Sequence, residues 1–311
     1  MENRILGLHH ITAIADNAQR NYDFYTRVLG LRMVKKTVNF DDPGTYHFYF
    51  GDEIGTPGTI LTFFPWEGIG KGTVGTGMAT GIGYSVPSGS LQFWANRFKQ
   101  FNVKQFPPGE RFGEQFLPFE DPDGLSLELV IPMAEDKRKP WVTNDVGEEV
   151  AIRGFHNITL ILRTVAPTAA ILTEVFGYKT FGQEGNRYRF VTDAIETASI
   201  VDIVEMPSLG MGRNAAGTNH HIAFRVKDDN ILMQYREKIE QRGLNITPKI
   251  DRDYFFSLYF REPGGVLFEL ATDNPGFTRD EPVDQLGSKL KLPKQYEGSR
   301  ARIEQSLPKL S

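Results

Sequence analysis

The pattern of Gly7-Leu8-His9-His10-Ile11-Thr12 returns 147 positions later as Gly154-Phe155-His156-Asn157-Ile158-Thr159, and this repeat is the strongest indication of the fold. The signal for a helix end keeps the same spacing: Leu29-Gly30 and Phe176-Gly177 each close an apolar stripe. Glycine at that place suits the left-handed residue that follows a helix. A repeat of this kind predicts a fold built from copies of one unit.

A second repeat joins the ends of the two halves. Asp121-Pro122-Asp123-Gly124 is followed by Glu128, and Glu262-Pro263-Gly264-Gly265 is followed by Glu269, 141 positions after Glu128. The strands upstream also match, since residues 77–84 lie 140 positions before residues 217–224. The chain therefore divides into four modules, near residues 5–70, 75–133, 152–206 and 215–273.

Each module is predicted to form a short strand, an amphipathic helix and further strands joined by glycine-rich turns. In the first module these elements fall near residues 7–14, 17–29, 31–38, 44–51 and 58–65. We predict an α+β fold of four βαβββ modules forming two domains of paired modules, each a curved mixed β-sheet with helices outside. The predicted division is an N-terminal domain (1–135), a linker (136–151), a C-terminal domain (152–273) and a tail (274–311) that covers an edge or mouth.

Composition narrows the class of protein. Apolar residues make up 40% of the 311 residues and charged residues 24%, which is ordinary for a globular protein and excludes disorder as the main state. The net charge of −4 and the lack of a basic cluster argue against a nucleic-acid or anionic-membrane binder. No run approaches the roughly 18 apolar residues of a membrane span. We therefore expect a cytoplasmic protein with small-molecule partners and no membrane partner.

The chain contains no cysteine, so any metal must be held by nitrogen or oxygen ligands. Four of the six histidines form two His-His pairs on predicted strands, where adjacent side chains point to opposite faces. Register selects His10 and His221, which share their module position with Gly81 and Asn157. Glu269 lies in the apolar run Val266–Leu270, where an unpaired charge is costly to bury.

The first module differs from the others at the carboxylate position. Four residues after the turn glycine stands Glu128 in module two and Glu269 in module four, but Thr62 in module one. If modules one and four face each other, the site has His10, His221 and Glu269 and no fourth strong ligand. Two imidazoles and one carboxylate with open positions are typical of non-haem Fe(II) oxygen chemistry.

Other polar residues have simpler interpretations. A site between modules two and three would have Glu128 with Gly81 and Asn157, which lacks the histidines. We expect Glu128 to be solvated or salt-bridged, and His47 and His156 to be ordinary polar residues, because neither histidine falls in the ligand register. The glycines of the two turns are expected in hairpins rather than in phosphate-binding loops.

Several of these stretches resemble a known family. LHHIT (residues 8–12), Phe24-Tyr25 through Leu31, NHHIAFRV (219–226) and EPGGVLFEL (262–270) are similar to the vicinal oxygen chelate superfamily, and the resemblance covers residues 5–273. More closely, LHHIT, the NHHIAF strand, Arg252-Asp253-Tyr254 and SLYFREPGGVLFEL resemble its hydroquinone ring-cleaving dioxygenases, the branch that contains the chlorohydroquinone 1,2-dioxygenases.

The resemblance implies an Fe(II) enzyme with an aromatic diol and O2 as its partners. Its metal ligands come from modules one and four, which agrees with His10, His221 and Glu269. It also places groups around the metal and the substrate; these positions correspond to His9, Thr12, His220, Arg252 and Tyr259. Tyr259 would donate a hydrogen bond or proton, Arg252 would hold the remote hydroxyl or offset negative charge, and His220 or His9 would carry protons.

Three alternatives stay open at this point. A catechol extradiol dioxygenase would usually take ligands from the last two modules, but module three offers Asn157. A glyoxalase or isomerase using Zn or Ni would need a fourth protein ligand, and Thr62 stands in its place. A non-enzymatic binding protein would not require the matched triad. The sequence is also compatible with Mn(II) in place of iron and with a homo-oligomer.

Overall fold

The computed structural model describes residues 4–311, and its elements follow the predicted modular order. Module one contains β1 (Leu8–Ala15), α1 (Ala18–Asp23), β2 (Arg32–Val38), β3 (Tyr46–Gly51) and β4 (Ile60–Pro65). Module two contains β5 (Met78–Ser85), α2 (Leu91–Gln100), β6 (Gly109–Arg111), β7 (Glu114–Glu120) and β8 (Ser126–Ile131). Module three contains β9 (Gly154–Leu162), α3 (Ala166–Ala170), β10 (Lys179–Glu184), β11 (Arg187–Val191) and β12 (Ile200–Glu205). Module four contains β13 (Thr218–Val226), α4 (Asp229–Gln241), β14 (Ile250–Asp251), β15 (Phe255–Arg261) and β16 (Leu267–Pro275).

Over the described residues, the strands form two curved, mixed eight-stranded sheets, which confirms the predicted α+β class. The first sheet has the order β14-β15-β16-β13-β1-β4-β3-β2 and joins modules four and one. The second has the order β10-β11-β12-β9-β5-β8-β7-β6 and joins modules three and two. Each sheet thus takes one module from each half of the chain. The division into domains at residues 1–135 and 152–273 stays a prediction. Each sheet contains strands from both of these segments.

The central strands explain this pairing of modules. β1 and β13 pair antiparallel in the first sheet, and β5 and β9 do the same in the second. All eight residues of β1 are buried, so both of its faces are covered. A strand that is buried on both faces has to hydrogen-bond its backbone groups along both edges, because water cannot reach them. The matching strand of another module supplies one of these partners.

The helices pack their apolar faces against the outer surfaces of the sheets. α4 buries Ile231, Leu232, Tyr235 and Ile239, a helical spacing that faces the core, and Asp228 caps its first turn. α1 is shorter than the predicted helix near residues 17–29, because it continues as a wider π-helical turn over Phe24–Val28, and α3 continues in the same way over Ile171–Val175.

The glycines that follow these two helices have the predicted left-handed conformation. The φ angle is +69° at Gly30 and +76° at Gly177, which a residue with a Cβ rarely adopts. The Gly124 and Gly265 turns likewise have positive φ and lie in the hairpins β7–β8 and β15–β16.

The C-terminal tail runs along the outer edge of the first sheet, next to β2. It contains short 3₁₀ turns (Phe277–Arg279, Val283–Gln285 and Lys294–Ser299) and α5 (Arg300–Ser306). Lys35 of β2 is fully buried beneath it and forms ion pairs with Asp280 and Glu281. In residues 4–311, no helix is both long enough and apolar enough to cross a membrane.

Candidate metal centre

Three neighbouring strands of the first sheet bring the predicted ligands together. β1 pairs with β13, and β13 pairs with β16, so the strands that carry His10, His221 and Glu269 lie side by side. In this register His10 is opposite Ala223, and Ala223 is in turn opposite Glu269. The condition that modules one and four face each other is therefore met.

The ligand atoms of these three residues converge on one point. His221 Nε2 lies 2.9 Å from Glu269 Oε2, and His10 Nε2 lies 3.2 Å from the same oxygen. One ligand atom from each residue lies within 4.8 Å of the other two. Within residues 4–311, this is the one group of three or more histidine or acidic side chains that has such geometry.

The surroundings of Glu269 fit a bound cation. Its side chain is 0% exposed, and Ser257 Oγ donates to Oε1. Oε2 and His221 Nε2 are buried without a hydrogen-bond partner among the described residues, which is costly for a carboxylate. A metal ion between these atoms would satisfy them, so the donor set fits one.

A backbone carbonyl orients the His10 ring through His9. His9 Nε2 lies 3.1 Å from the carbonyl oxygen of Thr272, which can only accept, so Nε2 donates. Burial, and then His10, lower the pKa of His9 well below its usual value, so the ring is neutral and its Nδ1 accepts. His10 Nδ1, 2.9 Å away, therefore donates to His9 and leaves its Nε2 lone pair directed at Glu269. A metal-binding histidine requires this protonation state.

The second His-His pair has the same inner geometry but a different outer end. His220 Nδ1 lies 2.7 Å from His221 Nδ1. Burial, and then His221, lower the pKa of His220 to about 3, so this ring is also neutral. His220 lines a cavity, whereas His9 hydrogen-bonds to a backbone carbonyl.

The cavity, of about 350 Å³, opens directly onto the ligand cluster, and its volume is within the range of small-molecule sites. Aromatic and apolar side chains provide most of its walls, and a few polar groups point into it. The lining residues are His10, Asn39, Phe40, Asp41, His47, Tyr49, Phe64, Trp66, His220, His221, Arg252, Phe255, Tyr259 and Leu267.

Arg252 and Tyr259 form the main polar wall. Arg252 Nε donates to the Tyr259 hydroxyl across 3.3 Å, and its Nη1 lies 3.4 Å from Asp41 Oδ2. Burial lowers the pKa of the guanidinium, but Tyr259, Glu269 and Asp41 outweigh it and raise that pKa above its usual value. Burial and the Glu269 carboxylate raise the pKa of Tyr259, so its hydroxyl stays protonated. The wall therefore combines a fixed positive charge with a hydroxyl.

The five residues predicted around the metal lie at different depths. Arg252, Tyr259 and His220 line the cavity. His9 and Thr12 are not among its lining residues: His9 lies behind His10, and the Thr12 hydroxyl is 2.8 Å from that of Thr62. The roles of all five stay predictions, and their positions separate the three side chains that line the cavity from the two that lie behind or beside the ligand cluster.

Several lining residues were not predicted to be part of the site, and His47 is the histidine among them. His47 is not a ligand, as its register indicated, but it lines the cavity, where its ring nitrogens lie 2.9 Å from Thr62 Oγ1 and 2.9 Å from the Tyr49 hydroxyl. Alternation along β3 contains the missed signal, because Phe48 and Phe50 belong to the core and the opposite face carries His47 and Tyr49.

At the equivalent place in the second sheet, the acidic side chains are already paired with basic ones. Glu128 forms a bidentate ion pair with Arg111, which confirms the prediction that it is salt-bridged. His156 Nε2 lies 2.9 Å from Glu114 Oε2. Asp202, at the position of Thr62, is paired with Arg189.

Comparisons with known proteins agree with the modular fold. The profile of the "Glyoxalase/Bleomycin resistance protein/Dioxygenase superfamily" matches residues 7–129 and 154–270. A solved structure, "putative dioxygenase from Bacillus subtilis subsp. subtilis str. 168", has a TM-score of 0.95 at 46% identity and covers 99% of this chain and 98% of its own.

Two curated relatives match over nearly their full lengths. "Putative ring-cleaving dioxygenase MhqO" of Bacillus subtilis (strain 168) is 47% identical over 307 residues, which cover 99% of this chain and 97% of the relative. "Chlorohydroquinone/hydroquinone 1,2-dioxygenase" of Sphingobium indicum is 36% identical over 308 residues, which cover 96% of this chain and 95% of the relative.

Proposed function

Because the chain belongs to the glyoxalase/bleomycin resistance protein/dioxygenase superfamily, we propose that it is an Fe(II)-dependent ring-cleaving dioxygenase that inserts both atoms of O2 into a hydroquinone-type aromatic diol. Its ligands would be His10, His221 and Glu269. The names of the relatives support both the reaction and the class of diol.

The observation that carries the proposal is a cluster of three ligands with one side left open. The register position that could supply a fourth ligand holds Thr62, whose hydroxyl contacts Thr12 and His47 instead. His10, His221 and Glu269 would hold Fe(II) with coordination positions left open, and the metal would supply the redox chemistry that joins a diol to O2.

The cavity walls suit an aromatic ring. Phe64, Trp66, Phe255 and Leu267 offer apolar surface against which its faces can pack. At the polar wall, Arg252 offsets negative charge that develops on the ring oxygens, and Tyr259 keeps its hydrogen and donates it. These side chains orient the ring and stabilise its anionic form.

Proton transfer is assigned to His220 rather than to His9. His220 lines the cavity, and because its Nδ1 accepts from His221, its neutral ring carries its proton on Nε2, where it can be donated to an oxygen of the bound diol. His9 Nε2 is occupied by the Thr272 carbonyl, and its Nδ1 by His10. His9 would therefore orient a ligand instead of exchanging protons with the substrate.

The experiment is O2 uptake by protein loaded with Fe(II) under anaerobic conditions. Unsubstituted hydroquinone is added to the iron-loaded protein, and parallel traces use catechol, a Zn(II)-loaded sample and a sample without metal. We expect iron-dependent uptake near one O2 per hydroquinone and slower uptake with catechol.

Two results would contradict the proposal in different ways. Uptake with catechol alone would reassign the protein to the catechol extradiol class. No uptake with either diol, in a sample shown to retain iron, would remove the dioxygenase assignment and favour an isomerase or a binding protein.

A further inference from the structure

A chain of four polar side chains, three buried and the half-buried His47, leads towards the metal-binding cluster from the side of β3. The Tyr49 hydroxyl lies 2.9 Å from His47 Nδ1, and His47 Nε2 lies 2.9 Å from Thr62 Oγ1. Thr62 Oγ1 lies 2.8 Å from Thr12 Oγ1. Tyr49 is 1% exposed, and both threonines are 0% exposed. Groups buried this deeply have to satisfy one another, so the chain has a definite donor direction.

The Tyr49 hydroxyl sets that direction. Its ring packs against Phe277 and Tyr254, and among residues 4–311 His47 is the hydrogen-bond partner of its hydroxyl. A buried O–H donates where an acceptor is in reach, so His47 Nδ1 accepts. Burial, and then His10, lower the pKa of His47 well below its usual value, so its ring is neutral and carries one proton. That proton lies on Nε2 and is donated to Thr62.

The two threonine hydroxyls continue the same direction of hydrogen-bond donation. Thr62 accepts from His47, so its own hydrogen is donated to its other partner, Thr12. The Thr12 oxygen accepts, and its hydrogen is left for a further acceptor. Thr12 lies on the same face of β1 as His10 and opposite His221 in the strand register. The free hydrogen therefore belongs to a residue in register with His221 and next to Thr62, which stands at the position of a fourth protein ligand.

The second sheet has side chains at the same register positions, and there an arginine fixes the direction of hydrogen-bond donation. In matching registers, Thr159 and Asp202 are opposite each other as Thr12 and Thr62 are. Arg189 is opposite Asp202 in the strand register, as Tyr49 is opposite Thr62. Arg187 and His47 each stand two residues before these strand residues, so Arg187 occupies the place of His47. Arg187 Nη1 lies 2.9 Å from Thr159 Oγ1 and 3.3 Å from Asp202 Oδ2. A guanidinium can only donate, so this position donates towards the paired central strands in both sheets.

We propose that His47 is a positioning residue, which holds the chain Tyr49–His47–Thr62–Thr12 in the direction that presents the Thr12 hydrogen to an anionic oxygen beside the metal-binding cluster. The proposal rests on the proposed function, because that oxygen would belong to the diol or to O2. A hydrogen bond to an anionic oxygen is stronger than one between neutral groups. In the opposite direction, Thr12 would turn lone pairs towards the same oxygen and weaken its binding.

The first test measures the tautomer directly and does not need activity. The protein is labelled with ¹⁵N-histidine and loaded with diamagnetic Zn(II), and the His47 signals are assigned by their loss in His47→Gln. We expect a protonated Nε2 and an unprotonated Nδ1 in the wild type. Tyr49→Phe should shift His47 towards a mixture of tautomers, whereas Tyr46→Phe, which removes a hydroxyl from the same strand outside the cavity, should not. A wild-type His47 protonated on Nδ1 would overturn the proposal.

The second test uses the kinetics of iron-loaded variants. In His47→Gln, the amide oxygen can accept from Tyr49 and the amide N–H can donate to Thr62, so we expect kcat to stay within about threefold of the wild type. His47→Leu should lower kcat by about tenfold or more, the effect of one lost charge-assisted hydrogen bond, while the KM for hydroquinone changes by less than about threefold. Equal kcat in His47→Leu and His47→Gln would contradict the positioning role. An inactive wild type with Nε2 protonated would reject the proposed function and leave the tautomer result standing.

Discussion

The two sheets of this protein share one strand order and one register, yet they balance buried negative charge in different ways. In the first sheet, Glu269 Oε2 faces His221 Nε2, and neither atom has a hydrogen-bond partner among the described residues. In the second, the matching Glu128 is held by Arg111 at two oxygens, and Asp202 is held by Arg189. The first sheet therefore fits a metal ion at the place where the second already contains guanidinium groups.

The difference shows how few substitutions separate a metal site from a structural one. In the second sheet, the histidine positions hold Gly81 and Asn157, so imidazole nitrogens are missing while the carboxylate remains. A buried carboxylate still needs a positive partner, and arginines on neighbouring strands provide it. Arg189 is 1% exposed and bridges Asp202 and Glu114, which shows that this network is as deeply buried as the ligand cluster.

Exchanging the two matched glutamates for glutamine should separate the sheets most clearly. Glu269→Gln removes the charged ligand, so we expect it to lose iron and all measurable O2 uptake while it still folds. Glu128→Gln should retain iron and activity. Iron per chain after gel filtration and O2 uptake with hydroquinone check both. An active, iron-replete Glu269→Gln protein would contradict the assignment of the ligands.

The same Glu128→Gln variant should lower stability. Arg111 and Glu128 are each 8% exposed, so the substitution leaves a guanidinium buried without its charged partner. Breaking a buried pair in this way costs about 3–5 kcal/mol. Urea unfolding measures the loss, and Arg111→Met combined with Glu128→Leu, which removes both charges, should recover most of it. If Glu128→Gln unfolds at the wild-type urea concentration, the ion pair does not stabilise the sheet.

Thr62→Asp would give the first sheet the carboxylate that the second has at Asp202. The added ligand should hold the metal at least as tightly and fill a position that the reaction needs open. We expect metal retention with kcat lowered by about tenfold to a hundredfold, a barrier increase of about 1.4–2.7 kcal/mol. Thr62→Asn, whose amide has the size of the added carboxylate and can still accept from His47 and donate to Thr12, is the matched neutral control. Activity lower in Thr62→Asn than in Thr62→Asp would show that the open position is not what matters.

The smallest expected effect is the contribution of Glu114, in the second sheet, to the loss of stability in acid. Burial alone would raise the pKa of Glu114, but His156 and Arg189 lower it to about 2. Because this is below the value of about 4.3 in an unfolded chain, the ionised form favours folding above that pH. Its contribution is lost as the pH falls towards 2.

We therefore expect the Tm of the metal-free wild type to fall over this acidic range and that of Glu114→Gln to fall less steeply. Glu110→Gln, an exposed change on the neighbouring strand β6, should follow the wild type. Thermal unfolding at several pH values checks this. Parallel profiles for the wild type and Glu114→Gln would show that this carboxylate does not contribute to acid sensitivity.

Much of the ligand cluster could be predicted because repeats convert position in the sequence into register in a sheet. His10, His221 and Glu269 each match a residue in another module, and strand alternation then assigns their faces. The pairing of module one with module four could only be stated as a condition. It depends on contacts between distant strands, β1 and β13, which no local pattern specifies.

The remaining parts of the site depend on contacts across strands and loops. His47 has no counterpart of its own type, since Arg187 stands in its place, so register could not identify it. Phe40 and Asp41 belong to a loop after β2 that reaches the cavity only in the folded chain. The pairing of Arg111 with Glu128 likewise joins two strands across the second sheet. These residues were identified by geometry instead of by pattern.

The first sheet should hold the metal, and the second should not. Anomalous diffraction at the iron absorption edge, from crystals grown anaerobically with Fe(II), distinguishes the two sheets. We predict one peak per chain, surrounded by His10, His221 and Glu269. A peak beside Glu128 and Asp202, or no peak in crystals whose protein contains iron, would contradict it.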